Sequence, residues 1–408
     1  MDISGASGGI PEKRGILGGT IALFLSFNVV LYGSNLFVYV YQSGVVGIKP
    51  LYFYVMTIGA AIMVALWHSI SNSYMLPRQF ILWLFVTVGY YIFLFLFSSQ
   101  SEIATQILIS YLEAIALLLS FLALCRDSDS IRVVRISLLM VVALSLLLNI
   151  YDFFVPTFSD TMGRAAGFYL NPNFSGFMLV LTMVASISVV PPKWRFIFSM
   201  LVGVGVLITF SRGGWLLWGV AISGLVFYNY LTISGRAIGS VIALLAVLLI
   251  YSLYSGAMLE WLKWLGVSDY LHPGAIARIA GDESFSDDSA VSRIQAAYHA
   301  WGIFAEHPWF GSGLGYTREW DFGVSPHNMF LTMAAEGGVV GVGILTWLFY
   351  LLWRVGDDIG KLIAALLMLF SMFSHNVVET PAIMLVCALI IASRPGREPG
   401  TPKQKTII

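Results

Sequence analysis

Cysteine is nearly absent from this 408-residue chain, and charge is scarce. The two cysteines, Cys125 and Cys387, both fall in apolar stretches, which offers no disulfide framework and no thiolate metal site. Charged residues make up 11% of the chain, against about 25% in an average soluble domain. The 22 basic residues balance 22 acidic ones, so no overall field points to nucleic acid or to an acidic partner, and only the sidedness of the charges informs. The N-terminal MDISGASGGIPEKR has no short apolar core followed by a small-residue cleavage site; no removable signal peptide is expected, and the first apolar stretch is itself the membrane signal. A metal-binding pattern is missing too. Asp282, Glu283, Asp287 and Asp288 gather in GDESFSDDS, but no nearby histidine completes a 2-His-1-carboxylate set and the spacing does not fit a calcium loop. That run reads as a solvated cap, and neither a metal nor a cofactor is expected.

Apolar residues dominate instead, at 58% of the chain with a mean hydropathy of +0.83. A helical span of the bilayer needs about 20 such residues. Stretches of that kind lie near 15–41, 51–70, 80–98, 103–125, 136–155, 174–190, 196–211, 213–231, 238–256, 328–352, 361–377 and 381–393. The expected fold is an all-α integral membrane protein of about 12 transmembrane helices with one large outer loop that itself contains helices. Nine spans occupy residues 1–256, the loop 257–327, three more spans 328–393, and a cytoplasmic tail 394–408. The stretches at 196–211 and 381–393 are short, and ten or eleven spans would result if either were re-entrant.

Charge sidedness tests this layout. With Lys13 and Arg14 inside and sides alternating, 15 of the 22 Lys and Arg residues fall on the cytoplasmic side, among them Arg78, Arg132, Arg135, Lys193, Arg195, Arg354 and Lys361. The positive-inside rule favours that arrangement, with the large loop periplasmic or extracellular. The cations left outside oppose the bias: Lys49, Arg164, Arg212, Lys263, Arg278, Arg293 and Arg318. Arg212, in TFSRGGWLLWG, lies at the outer end of two abutting spans, where it requires an anionic partner or snorkels to lipid phosphates. Arg164 shares its loop with an Asn-Pro-Asn turn just before a span, a geometry that tucks a loop back toward the bundle. Its bland alternative is a surface arginine.

Within the long loop, DDSAVSRIQAAYHAWGIFAEHPWF has a cap-forming start and ends at Pro308, which predicts a helix. Ile294, Ala297, Tyr298, Trp301 and Phe304 recur as an apolar stripe, with Arg293 one residue aside and pointing over the bundle mouth. Earlier, MLEWLKWLGVSDYL carries Trp261, Trp264 and Tyr270, which suits a helix at headgroup depth. His68, His272, His299 and His307 show no evident partner. His375 stands beside Asn376 and Glu379 near the outer end of its span, where packing or an interhelical hydrogen bond is the ordinary reading.

His327 differs. Pro326 ends the loop, His327 and Asn328 open the next span, and Gly337, Gly338, Gly341 and Gly343 let a neighbouring helix approach. An imidazole at the water boundary, with a pKa near 6.5, takes a proton from a hydroxyl at neutral pH. Guanidinium groups match phosphate oxygens bidentately and stabilise the charge of a diphosphate leaving group without a metal. One histidine and several arginines thus point to transfer from a phosphate-activated lipid donor.

At these residues the chain resembles the O-antigen ligase and polymerase family of bacterial envelope enzymes. The pattern H-[NSQ]-x9-G-x2-[GTY] is met by His327, Asn328, Gly338 and Gly341, and R-x3-L by Arg212 and Leu216. RIQAAYHAWGIFAEHPWFGSGLGY looks like the family's outer-loop helix followed by its P-x-x-G-x-G turn, with Arg293 at the arginine position. The resemblance runs from about Arg164 to Gly343. It implies a GT-C-like, metal-independent, inverting glycosyltransferase of the bacterial inner membrane, facing the periplasm. The glycan comes from undecaprenyl diphosphate, and in ligases it goes to a sugar hydroxyl of lipid A-core. His327 would be the general base, Arg212, Arg293 and Arg164 the diphosphate clamp, and Asn328, Gly338 and Gly341 their support. A polymerase using the same donor remains open, as does a lipid-linked oligosaccharide flippase, although the internal duplication common in transporters is not evident.

Overall fold

The computed structural model describes residues 12–44, 47, 49–69, 77–125, 127–159, 161, 163–232, 264 and 287–394. The expected span at 238–256, Trp261, Tyr270, Asp282 and Glu283 lie outside these residues. All regular structure described is helical: α1 Glu12–Gly33, α2 Leu36–Gln42, α3 Pro50–Ser69, α4 Arg78–Leu96, α5 Glu102–Leu124, α6 Ser128–Phe154, α7 Pro172–Ser186, α8 Pro192–Leu207 and α9 Arg212–Phe227. After the loop come α10 Asp287–Glu306, α11 Tyr316–Glu319, α12 Met329–Val355, α13 Asp358–Phe370 and α14 Pro381–Ala392.

Among the described residues five helices are long and apolar enough to cross a membrane: α4, α5, α6, α7 with the 3-10 turn that continues it to Val189, and α12. A sixth span results if α1 and α2 count as one. The apolar stretch expected at 15–41 is broken at Ser34–Asn35, where the two helices meet at 61°. Asn35 takes a left-handed conformation there, and its side-chain amide donates to the Phe168 carbonyl at 3.1 Å. Helix starts follow local sequence. Ser101, Asp127, Ser211, Asn328 and Asp357 each accept a backbone N–H of the first turn, and Pro172 and Pro381 stand in the first turns of α7 and α14. Both devices satisfy or remove donors that a helix leaves unpaired.

Helices α7 and α14 form the centre. Every residue of α14 from Ala382 to Ala392 is buried, although its 12 residues rise only about 18 Å against a hydrocarbon core of about 30 Å. Phe27, Phe85, Leu147 and Phe227 are exposed on the outside of the bundle, the surface a lipid solvent tolerates and water does not.

The two ends of the bundle differ. At one, Arg135 donates to Ser188 (2.7 Å) and Ser393 (3.3 Å) and lies 3.7 Å from Asp357, while Arg195 donates to the carbonyls of Val190 and Tyr230. Those arginines were assigned inside by charge sidedness. At the other end gather the first turns of α7, α9, α12 and α14 and the last turns of α6, α8 and α13. Helix α4 runs antiparallel to α12, since Trp83 donates to the Ile344 carbonyl and Tyr90 to that of Gly337. The C-terminus of α4 therefore also reaches that second end, where Arg164, Arg212, Arg293 and Arg318 lie.

Candidate functional site

His327 precedes α12 in a left-handed conformation (φ 49°), and the next residue caps the helix. Asn328 Oδ1 accepts the Leu331 N–H at 3.1 Å, and its carbonyl accepts from Thr332. The Met329 N–H donates to the Ser371 carbonyl at 2.7 Å. This joins the start of α12 to the end of α13 and brings the loop after α13 over His327. There the His375 ring meets the His327 ring edge-on, with centroids 5.1 Å apart. Partial burial and the charge of Arg293 hold His327 below the usual imidazole pKa. Burial, His327 and Arg318 push His375 down to about 4. Both shifts favour the neutral imidazole at neutral pH. Arg318 and Glu379 close the far side of the pair with an ion pair at 2.7 Å. The sequence left His375 with ordinary packing; only the fold brings it to His327.

Arg293 reaches the same place along α10. The apolar stripe expected on that helix does not make its contact with α12: Ile294, Tyr298 and Trp301 are exposed, and the face toward α12 is made by Ala296, Ala300 and Ile303, packed on Ala335. Arg293 lies three residues before Ala296, in line with this small-residue face. It is exposed, and its charge is felt at His327.

Arg212 is exposed at the first position of α9, after the turn at Phe210 (φ 49°) and the Ser211 cap. Arg164 fastens its own loop to that turn, donating from Nε to the Thr209 carbonyl at 2.9 Å and from Nη2 to Asn173 Oδ1 at 2.7 Å. The loop is held from below by Asp152, a buried carboxylate that accepts the backbone N–H groups of Thr157, Phe158, Ala166 and Gly167 at 2.8–3.3 Å. Asp152 was not singled out from sequence; an acid in the last turn of an apolar span was the available signal. A Cβ built on Gly213 would lie 3.8 Å from the Phe373 ring, so the start of α9 abuts the segment that carries His375. The His327–His375 pair, the arginine-bearing starts of α9 and α10, and the tied-down Arg164 loop thus line one end of the bundle.

The signature glycines act otherwise than expected. Gly338 interrupts α12 with φ 59° and ψ −158°, and the group that approaches it is a strap of loop, not a helix. A Cβ there would lie 2.4 Å from the Trp309 carbonyl carbon, and one on Gly311 would lie 2.3 Å from that of Glu336. The strap takes over hydrogen bonds the interrupted helix gives up. Val339 N–H donates to the Pro308 carbonyl at 2.8 Å, while Ser312 and Gly313 donate to the carbonyls of Ala335 and Glu336 at 2.8 and 3.0 Å. Beneath it, the buried Glu336 carboxylate accepts from the Thr317 N–H (3.2 Å) and hydroxyl (2.5 Å), which fixes α11 to α12. A helix does approach Gly337, where the Tyr90 hydroxyl of α4 would lie 3.3 Å from a Cβ. Gly341 lies over its own helix at the Met333 carbonyl, and Gly343 faces open space.

Residues 196–346 match the family model of the O-antigen ligases. The matched stretch contains Arg212, Arg293, His327, Asn328, Gly338 and Gly341, in agreement with the resemblance those residues carry; Arg164, His375 and Glu379 lie outside it. A search among curated proteins finds no match.

Proposed function

We propose that this protein is an O-antigen ligase: an inverting, metal-independent glycosyltransferase that moves a glycan from undecaprenyl diphosphate to a sugar hydroxyl of lipid A-core. The observation that carries the proposal is the pairing of the His327 and His375 rings at the end of the bundle where α9 presents Arg212 and the Arg164 loop is tied down. His327 takes the proton of the acceptor hydroxyl. The oxygen attacks the anomeric carbon from the face opposite the diphosphate, and the glycosidic C–O bond breaks with its electron pair going to the diphosphate. Arg293 and Arg212, both exposed, neutralise the charge that develops there. Arg164 holds the turn before Arg212 in place and adds positive charge beside it. The depressed pKa of His327 keeps it unprotonated, as a base needs to be.

In this reading about twelve helices cross the bacterial inner membrane, residues 257–327 form a periplasmic loop, and the histidine end faces the periplasm. Membrane lipids surround the bundle. The assay combines purified protein with undecaprenyl-diphosphate glycan and rough lipopolysaccharide and analyses products by mass. Glycan joined to lipid A-core is expected for the native protein, and none for His327→Ala at equal membrane insertion. Chains that lengthen on the undecaprenyl carrier would instead make the protein a polymerase. Transfer undiminished in His327→Ala would remove the base from its role.

A further inference from the structure

Two adjoining cavities lie between the C-terminal end of α4, α10, the strap and α11. The first, of about 680 Å3, is bounded by the aromatic rings of Tyr316, Trp320 and Phe322 together with Ser99, Glu319 and Asp321. The second, of about 540 Å3, is bounded by Phe93, Leu94, Phe97, Ile303 and Phe310. Ser312 and Tyr316 belong to both linings, so one wall of mixed character joins a polar, aromatic chamber to an apolar one. Phe97 and Phe310 are exposed, as are Glu306 and His307 of the same lining, so the chamber opens at the surface with an apolar side and a polar one.

Charge distinguishes this pair from the arginine cluster. Neither lining contains Lys or Arg, whereas the polar chamber carries Glu319 and Asp321 and the apolar one Glu306. A diphosphate is repelled here. Flat rings beside carboxylate and hydroxyl groups suit the apolar faces and the hydroxyls of a neutral sugar. The polar chamber is also preorganised: Ser99 and Ser101 donate to Glu319, tying the α4–α5 turn to α11, and His299 stacks on Phe322 and lies tilted against Trp320, with centroids 5.8 and 4.9 Å away. His299 lies six residues beyond Arg293 on α10, about 9 Å along the helix axis, so a short glycan bridges the chamber and the His327 end.

We infer that these cavities bind the acceptor as a saccharide-headed lipid, with neutral sugar in the first chamber and hydrocarbon in the second. The inference rests on the glycosyltransferase reading above and deepens it by assigning the acceptor its own site, separate from that of the diphosphate donor. The test uses the full chain in lipid nanodiscs with a photoreactive alkyl maltoside, a neutral sugar on a hydrocarbon tail, and maps crosslinks by mass spectrometry. Peptides containing Phe97 and Phe310 should be labelled. Excess rough lipopolysaccharide should compete; inorganic diphosphate should not. Tyr316→Ala should weaken labelling and raise the KM for rough lipopolysaccharide roughly tenfold, equivalent to about 1.4 kcal/mol, with donor KM unchanged. Asp321→Asn, at an exposed position, should do the same in part and serves if the first variant fails to fold. Labelling indifferent to both substitutions, or displaced by diphosphate, overturns the inference. Labelling that behaves as expected in a protein that forms no glycosidic bond leaves the site standing and removes the glycosyltransferase reading.

Discussion

Substituting Gly338 with alanine should unfasten the strap on α12, and the size of the effect follows from the local geometry. At φ 59° and ψ −158° the residue borders a region that is essentially open only to glycine, and holding a side chain there costs about 1–3 kcal/mol. The added Cβ would sit 2.4 Å from the Trp309 carbonyl carbon, which is backbone and cannot swing aside, so the strap must leave. With it go the hydrogen bonds Val339–Pro308, Ser312–Ala335 and Gly313–Glu336, each worth about 1 kcal/mol net. The sum is about 4–6 kcal/mol, a large share of the roughly 5–15 kcal/mol by which proteins are stable. At about 2 °C per kcal/mol for a large chain, Tm should fall by roughly 8–12 °C. Gly343→Ala is the matched control: same helix, open space around the new methyl group, and a gain of about 0.5–1 kcal/mol from lower backbone entropy. The assay is thermal unfolding of both purified variants in one detergent. A Gly338→Ala protein that melts within about 2 °C of the native one would refute the reasoning.

Arg293→Gln should move the acid limb of the kcat/KM pH profile upward. Burial and Arg293 both hold His327 down, so activity should persist below the ordinary histidine range, and removing one cause raises the pH at which the base is lost on acidification; an unchanged limb would count against the pairing. Asp152→Asn keeps the shape but removes the anionic acceptor of the backbone N–H groups around Ala166. It should lower Tm and raise donor KM through the Arg164 loop, with acceptor KM unaffected. Arg212→Ala should raise donor KM and lower kcat, and Arg212→Lys should recover only part, because an ammonium cannot fork onto two phosphate oxygens; full recovery by lysine would show that point charge suffices.

Much of this end of the molecule was legible in the chain, and the reason is local. Pro326-His327-Asn328 is a loop end, a histidine and a helix cap in succession, and such a pattern is decided by a few neighbouring residues. Arg212 was placed by two abutting apolar stretches, and in the structure Ser211 caps the helix that it begins. What the chain did not disclose was the facing of α10. Beside a bilayer the largest apolar residues can turn outward, because lipid is as apolar as a protein core, while small residues such as Ala296 and Ala300 make the close contact. Periodicity reports that a stripe exists, not which solvent it meets. The break at Asn35 was hidden because the residues on both sides are apolar, and its partner, the Phe168 carbonyl, lies over a hundred residues away. His375 was undervalued for the same reason: its nearness to His327 depends on how α13 ends against α12.

Helix α14 has a consequence for how a greasy substrate gets to polar chemistry. Its length falls short of the membrane's hydrocarbon by about 12 Å, and polar pairs flank it at either extremity, Arg318 with Glu379 and Arg135 with Ser393. A helix that short sets at least one of these polar pairs below the headgroup plane. On the function proposed above, the polyprenyl chain of the donor stays among the acyl chains while its diphosphate moves sideways to that polar level, so donor loading becomes a lateral step within one leaflet.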